Sequence, residues 1–339
     1  MAHADPMAAP THLSLSLLLL AAASHADPLG DALVARCRPD GRLLPAARAA
    51  LDREAPDADA AQGALQAAGI FAPTVHTVVL PSADPEALAA AIDRARHPAL
   101  LPRCALATDG VRVALALAPR VVEVLSERSH GVLTVRAALP QFVIDARLAV
   151  TDADGAVSVF AFDATASVSL PSTLSPSTLQ VIATLGDGPI PLATWHPTPS
   201  RPSPRDALAD PRDLLGAINR ERARAGVPAL RRDPLLDGVA AAHARNLAAR
   251  GVIAHRPTPD DGPIERLERA LVRAERVAEN LARAQTLTDA HARWMGSPSH
   301  RANALDPALD ALGIGVAARD GELYVVALFA THPTLNAGR

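Results

Sequence analysis

There is no lysine in this chain, so all 33 basic side chains among its 339 residues are arginine. Together with the abundant alanine, this reflects the base composition of the coding sequence rather than a demand for guanidinium chemistry. Aromatic residues are nearly as scarce, with two Trp, one Tyr and five Phe, which leaves few platforms on which bases could stack. The net charge is −3 with both signs interspersed, so there is no basic surface of the kind that neutralises phosphates. No nucleic acid partner is expected.

Cysteine is limited to Cys37 and Cys104. Neither has the paired spacing of a zinc site or of a redox C-x-x-C motif. In an exported chain an even pair is expected to be bonded, and closing a loop of this length would constrain the unfolded chain by about 4 kcal/mol. The alternative is two buried thiols.

Long apolar runs are also missing, apart from Leu13 to Ala23. That run is too short to span a bilayer as a helix, and S-H-A follows it at Ser24–Ala26. Residues 1–26 read as a secretory signal peptide, with a mature chain starting near Asp27 and a secreted or periplasmic location. No Lys or Arg precedes the run, Met7 offers a second start, and a buried helix is the alternative reading. No cysteine follows closely enough for a lipid anchor, and no later stretch is long and apolar enough to make the protein transmembrane.

The length predicts two or three domains, and the patterning predicts a multidomain α+β chain. Residues 27–110 alternate alanine-rich helical stretches with Pro and Gly breaks and read as a small helical unit stapled by Cys37–Cys104. Residues 111–193 change period: V-R-V-A-L-A-L, V-V-E-V-L, V-L-T-V-R-A-A-L and V-S-V-F-A-F-D are short runs, several of them alternating, between turn-formers such as S-H-G and D-A-D-G. They predict a β-sandwich, immunoglobulin-like in style. Residues 194–209, rich in Pro and Ser, read as a semi-rigid linker.

Helical grammar returns in residues 210–333. Asp210 with Pro211, and Asp233 with Pro234, are N-cap pairs, and Gly226 and Gly251 are stops. Further helix is expected near Ile264–Ala274 and Thr288–Met295. L-G-I-G-V-A-A, R-D-G and E-L-Y-V-V-A-L-F-A predict a closing β-hairpin. His243 falls on the apolar stripe of the second helix, where a satisfied core histidine is the expected reading.

Five blocks occur in order: N-R-E-R-A-R-A-G-V-P-A-L (Asn219–Leu230), I-A-H (Ile253–His255), A-E-N-L-A (Ala278–Ala282), W-M-G-S-P-S-H-R-A-N-A-L (Trp294–Leu305) and L-G-I-G-V-A (Leu312–Ala317). In this order and spacing the segment from about Pro211 to His332 resembles a bacterial-type SCP domain of the CAP superfamily, which comprises cysteine-rich secretory proteins, antigen 5 and pathogenesis-related 1 proteins. The resemblance implies an α-β-α sandwich whose cavity, lined by two histidines and two acids, can hold a divalent metal. By position His255 and His300 resemble the histidines and Glu279 the first acid, while Ser297 stands where many eukaryotic members carry the second. His255, Glu279 and His300 are thus the metal-ligand candidates, and with Ser297 they are expected to converge in one groove from motifs at helix ends or loops.

Two imidazoles and one carboxylate form a three-ligand site, so zinc is expected to bind only weakly. Two function classes follow. One is an extracellular binding module for a small ligand, such as a lipid, a peptide or a cell-wall fragment. The other is a metal-dependent hydrolase or peptidase with Glu279 as base or ligand. A structural secreted protein with no ligand is the remaining alternative. Ser297 and His300 lack the strand-turn-helix setting of a serine hydrolase nucleophile.

Overall fold

The computed structural model describes residues 28–52, 65–95, 100–118, 122–143, 145–185, 188–197 and 207–335. The expected signal peptide and most of the Pro-rich linker lie outside these residues. No helix among the described residues is long and apolar enough to cross a membrane.

The N-terminal unit is not helical throughout. It holds helices α1 (Pro28–Val34), α2 (Leu44–Leu51) and α3 (Pro85–Ala95) and strands β1 (Arg38–Pro39), β2 (His76–Leu80), β3 (Arg103–Thr108) and β4 (Val113–Ala118), in a sheet of order β1-β3-β4-β2. β4 is the V-A-L-A-L-A run expected to open the sandwich, and it pairs instead with β2 and β3. Its alternation is of large with small rather than apolar with polar. Ala114, Ala116 and Ala118 pack against α2, while Val113, Leu115 and Leu117 pack with Leu88 and Ile92 of α3. A strand buried on both faces needs a layer on each side, and the two flanking helices supply them. Cys37 and Cys104 are joined, with Cα atoms 6.0 Å apart. The bond ties the entry to β1 onto β3, and both sulfurs sit in the core beside Leu33 and Leu88.

Seven antiparallel strands follow: β5 (Val124–Ser129), β6 (Val132–Ala137), β7 (Ala146–Asp152), β8 (Val157–Ala161), β9 (Ser167–Leu170), β10 (Pro176–Leu185) and β11 (Gly188–Trp195). They form one sheet of order β5-β6-β9 and another of order β11-β10-β7-β8. Val135 and Val168 from the first sheet share a core with Leu148, Leu179 and Val181 from the second. The turn between β5 and β6 is His130-Gly131, both at positive φ, the conformation a tight hairpin requires. Thr194 and Trp195, expected at the start of the linker, instead complete β11. Trp195 is buried against Phe71, with ring centroids 5.4 Å apart, and Thr194 N donates to Phe71 O at 2.7 Å.

The C-terminal domain contains α4 (Pro211–Arg224), β12 (Arg231–Arg232), α5 (Pro234–Arg250), α6 (Pro263–Arg269), β13 (Val272–Arg273), β14 (Val277–Ala284), α7 (Leu287–Gly296), α8 (Pro298–Leu305), β15 (Ala311–Arg319), β16 (Glu322–Ala330) and β17 (Thr334–Leu335). Both expected N-caps form, with Asp210 accepting from the amides of Arg212 and Asp213 and Asp233 from those of Leu235 and Leu236. The main sheet runs β12-β15-β16-β14. One face packs on α5 through Leu236, Ala240 and Leu247, the other on α4, α7 and α8 through Ile218, Trp294 and Ala304. Helix α5 lies directly on β15: a Cβ at Gly315 would fall 2.1 Å from Ala240 O, and one at Gly313 would fall 2.1 Å from the Leu236 carbonyl carbon. The L-G-I-G block thus marks where a helix backbone meets a strand.

Candidate functional site

Glu279 lies in the middle of β14, opposite Leu328 of β16, rather than at a helix end or loop. Alternation along the strand sends its side chain toward α5 and that of Asn280 toward α8. Glu279 is 5% exposed and both its oxygens are engaged. Oε1 meets His255 Nδ1 at 2.9 Å, and Oε2 accepts from Arg266 Nη2 at 2.6 Å. Burial alone would raise the pKa of this carboxyl. The hydrogen bond to His255 and the charges of His255 and Arg266 outweigh that and hold it below the usual glutamate range.

Arg266, itself only 6% exposed, ties the cluster to its surroundings. Its Nη1 donates to the backbone oxygen of His255 at 3.0 Å and also to that of Asp261. Asp261 accepts in turn from Asn246 Nδ2 at 2.9 Å and pairs with Arg269. His243 joins from α5, with its Nε2 3.9 Å from Glu279 Oε1. It is 1% exposed, and neither ring nitrogen has a hydrogen-bond partner. Burial pushes its pKa down to about 4 despite the attraction of Glu279, so the ring is neutral at neutral pH. The expectation of a satisfied core histidine is half met: His243 is in the core, but it is unsatisfied. Beside this cluster a cavity of about 360 Å³ opens between α5 and α6, lined by Val239, His243, Asn246, Asp261, Arg266 and Arg269 among others.

Around α8 the His300 backbone and the Ser297 side chain have other partners. The His300 carbonyl accepts from Asn280 Nδ2 at 2.9 Å, and Asn303 Nδ2 donates to Asn280 Oδ1 at 2.9 Å. This stitches the start of α8 to the edge strand. Ser297 is buried and turned to the middle domain, where Gln180 Nε2 donates to its Oγ at 3.1 Å. Gln180 Oε1 also accepts from Ser299 N at 3.1 Å and from Ser299 Oγ at 2.7 Å. Arg301 Nε donates to Gly155 O of the middle domain at 3.0 Å. The S-P-S-H-R block is therefore an interdomain contact. The structure unites His255 with Glu279, and it adds His243 and Arg266, which sequence reasoning did not assign to the site. The only signal for Arg266 was an arginine facing inward on a short helix, in a chain where arginine is everywhere.

The metal that the resemblance implies does not fit this arrangement. The charge of the carboxylate is already compensated by a guanidinium 2.6 Å away, and a cation added beside that guanidinium would be repelled by it. Among the described residues no group of three or more His, Cys, Asp or Glu side chains is disposed to hold a metal ion.

Residues 215–329 match the model of the family described as CAP, the cysteine-rich secretory protein family. No curated protein matches the chain. Among solved structures the chain is similar to an outer surface protein of Borrelia burgdorferi, at 22% identity over 38% of this chain and 98% of that one, with a TM-score of 0.33. It is also similar to an extracellular protein containing an SCP domain from Bacillus anthracis str. Ames, at 19% identity over 61% of this chain and 67% of that one, TM-score 0.32. A third is a cysteine-rich secretory protein from Staphylococcus aureus subsp. aureus Mu50, at 12% identity over 67% and 82%, TM-score 0.30. The five ordered blocks, the helix-sheet-helix layers and the family match all fall on the same stretch, and the C-terminal domain of this chain belongs to the CAP superfamily.

Proposed function

We propose that the chain is exported and that its CAP domain is a binding module for a small extracellular ligand: a lipid, a peptide or a cell-wall fragment. Export is supported by the apolar run before S-H-A and by the buried disulfide, which an oxidising compartment favours. The observation that carries the binding reading is the state of Glu279. A hydrolytic base, or a ligand to a catalytic metal, needs an accessible carboxylate whose charge is available, and here the group is buried and paired with Arg266 on one oxygen and His255 on the other. The adjoining cavity offers what binding needs. It has an apolar helix wall at Val239 and Ala242 and a polar floor of His243, Asn246, Asp261 and the two arginines, the mixture that fixes a small ligand's orientation. The strand orders β5-β6-β9 and β11-β10-β7-β8 support an immunoglobulin-like reading of the middle domain, with a packing and spacing role.

The test is a lipid, peptide and cell-wall glycan array probed with the chain from Asp27 onward, beside Asn246→Ala and Arg269→Ala variants. Retention of one ligand class that both variants weaken at least tenfold is expected. Binding that neither variant alters would overturn the assignment of the cavity, and no retained ligand would leave the structural role standing.

A further inference from the structure

We propose that Arg266 is a built-in cation, standing beside Glu279 in place of a bound metal and keeping the domain metal-free. Three observations carry this. First, the guanidinium lies 2.6 Å from Glu279 Oε2, and both side chains are nearly inaccessible to water. At that separation, in a poorly solvated site, a second cation at the same carboxylate is strongly opposed. Second, Arg266 is held there by more than the carboxylate. Its Nη1 spans the backbone oxygens of His255 and Asp261, so the loop that carries His255 closes around the arginine and cannot easily release it.

Third, the surroundings retain ligand chemistry that the arginine does not use. His255 touches Glu279, and His243 sits 3.9 Å from it, fully buried with two unpartnered ring nitrogens. A buried imidazole without partners is uncommon in native proteins. Two imidazoles and a carboxylate are ligands zinc accepts. As they stand the three are not disposed around a common metal position, and the fourth member of the cluster is itself positive. His243 lies outside the ligand set that the family resemblance supplies, so the latent triad is His243, His255 and Glu279 rather than His255, Glu279 and His300.

The inference concerns the same cluster as the binding reading. It is tested without any organic ligand, so either can fail alone. Full-length wild type, Arg266→Met and Arg266→Gln are titrated with zinc by calorimetry and with cobalt by visible absorption. Wild type should show no zinc binding tighter than micromolar. At least one Arg266 variant should gain roughly a hundredfold in affinity, with the visible bands of a low-coordinate cobalt centre. Adding His243→Ala or Glu279→Gln to that variant should abolish the gain. If Arg266→Met folds only when zinc is present, the metal-dependent recovery is itself the predicted gain, and Arg266→Gln supplies the affinity. Folded Arg266 variants that bind zinc no better than wild type overturn the proposal. So does tight zinc binding by wild type that is lost on Glu279→Gln.

Discussion

Replacing Arg222 with methionine should unfold the C-terminal domain at markedly lower denaturant. Arg222 is completely buried and donates to four backbone oxygens: Pro228 at 2.6 Å, Ala304 at 2.8 Å, Asp306 at 3.0 Å and Leu309 at 3.0 Å. Those carbonyls belong to the turn after α4, the last turn of α8 and the approach to β15, so one side chain holds three segments together. Ala304 O is also at the negative end of α8, where a positive charge is favoured. Burial pulls the guanidinium below its ordinary pKa, opposed by Asp306, so the charge carries a desolvation cost.

Hydrogen bonds from a charged donor contribute about 1.5–3 kcal/mol each, so four lost together represent about 6–12 kcal/mol. Releasing a buried charge to water returns several kcal/mol of that. Methionine preserves most of the stem volume, so the net loss is expected at about 3–5 kcal/mol. Guanidinium chloride unfolding of the full chain, followed by circular dichroism, measures it against Arg224→Met, whose parent side chain is 68% exposed and whose replacement should change stability by no more than about 0.5 kcal/mol. A loss at position 222 below about 1 kcal/mol would refute the account of Arg222 as the clasp of the domain.

Two further outcomes are expected. His243 has its pKa pushed down from 6.5 to about 4 by burial; its neutral form stabilises the fold above pH 6.5, and that contribution is lost as pH falls toward 4. The loss reaches up to about 3 kcal/mol, and His243→Asn should flatten this part of a stability-against-pH curve; a wild-type curve with no slope between pH 6.5 and 4 would contradict the assignment. For the disulfide, reduction or a double Cys37→Ser, Cys104→Ser change should cost the N-terminal unit about 4 kcal/mol on the chain-entropy account of its 67-residue separation. Because both sulfurs lie within that unit, hydrogen exchange in the CAP domain should stay unchanged.

Much of the C-terminal domain was legible because its local signals agree with one another. Asp-Pro caps, Gly stops and the R-D-G turn of the closing hairpin are each strong local signals, and the five blocks occur in family order. The N-terminal unit was misread at β4, where Val and Leu alternate with Ala. A period of two says strand, but alanine counts as apolar, and sequence alone does not say that both faces are covered by helices. The site was half legible for a related reason. Motif order identified Glu279 and His255, but A-E-N-L-A lies in a strand, and strand alternation divides neighbouring residues between faces. Asn280 and the His300 carbonyl therefore meet on the α8 side while Glu279 faces α5. Arg222, Arg266 and Gln180 were invisible because a buried polar side chain is recognised by its partners, which are 5 to 119 residues away.

Gln180 has a consequence for how such chains can be recombined. Its amide bridges Thr194 of its own sheet and the serines at the start of α8, so part of the CAP motif is satisfied by a residue that lies outside the CAP domain. A graft of this CAP domain onto another carrier would carry Ser297 and Ser299 without their acceptor, and water would take its place. A change at any of residues 180, 297 and 299 is therefore expected to leave the other two short of a polar partner.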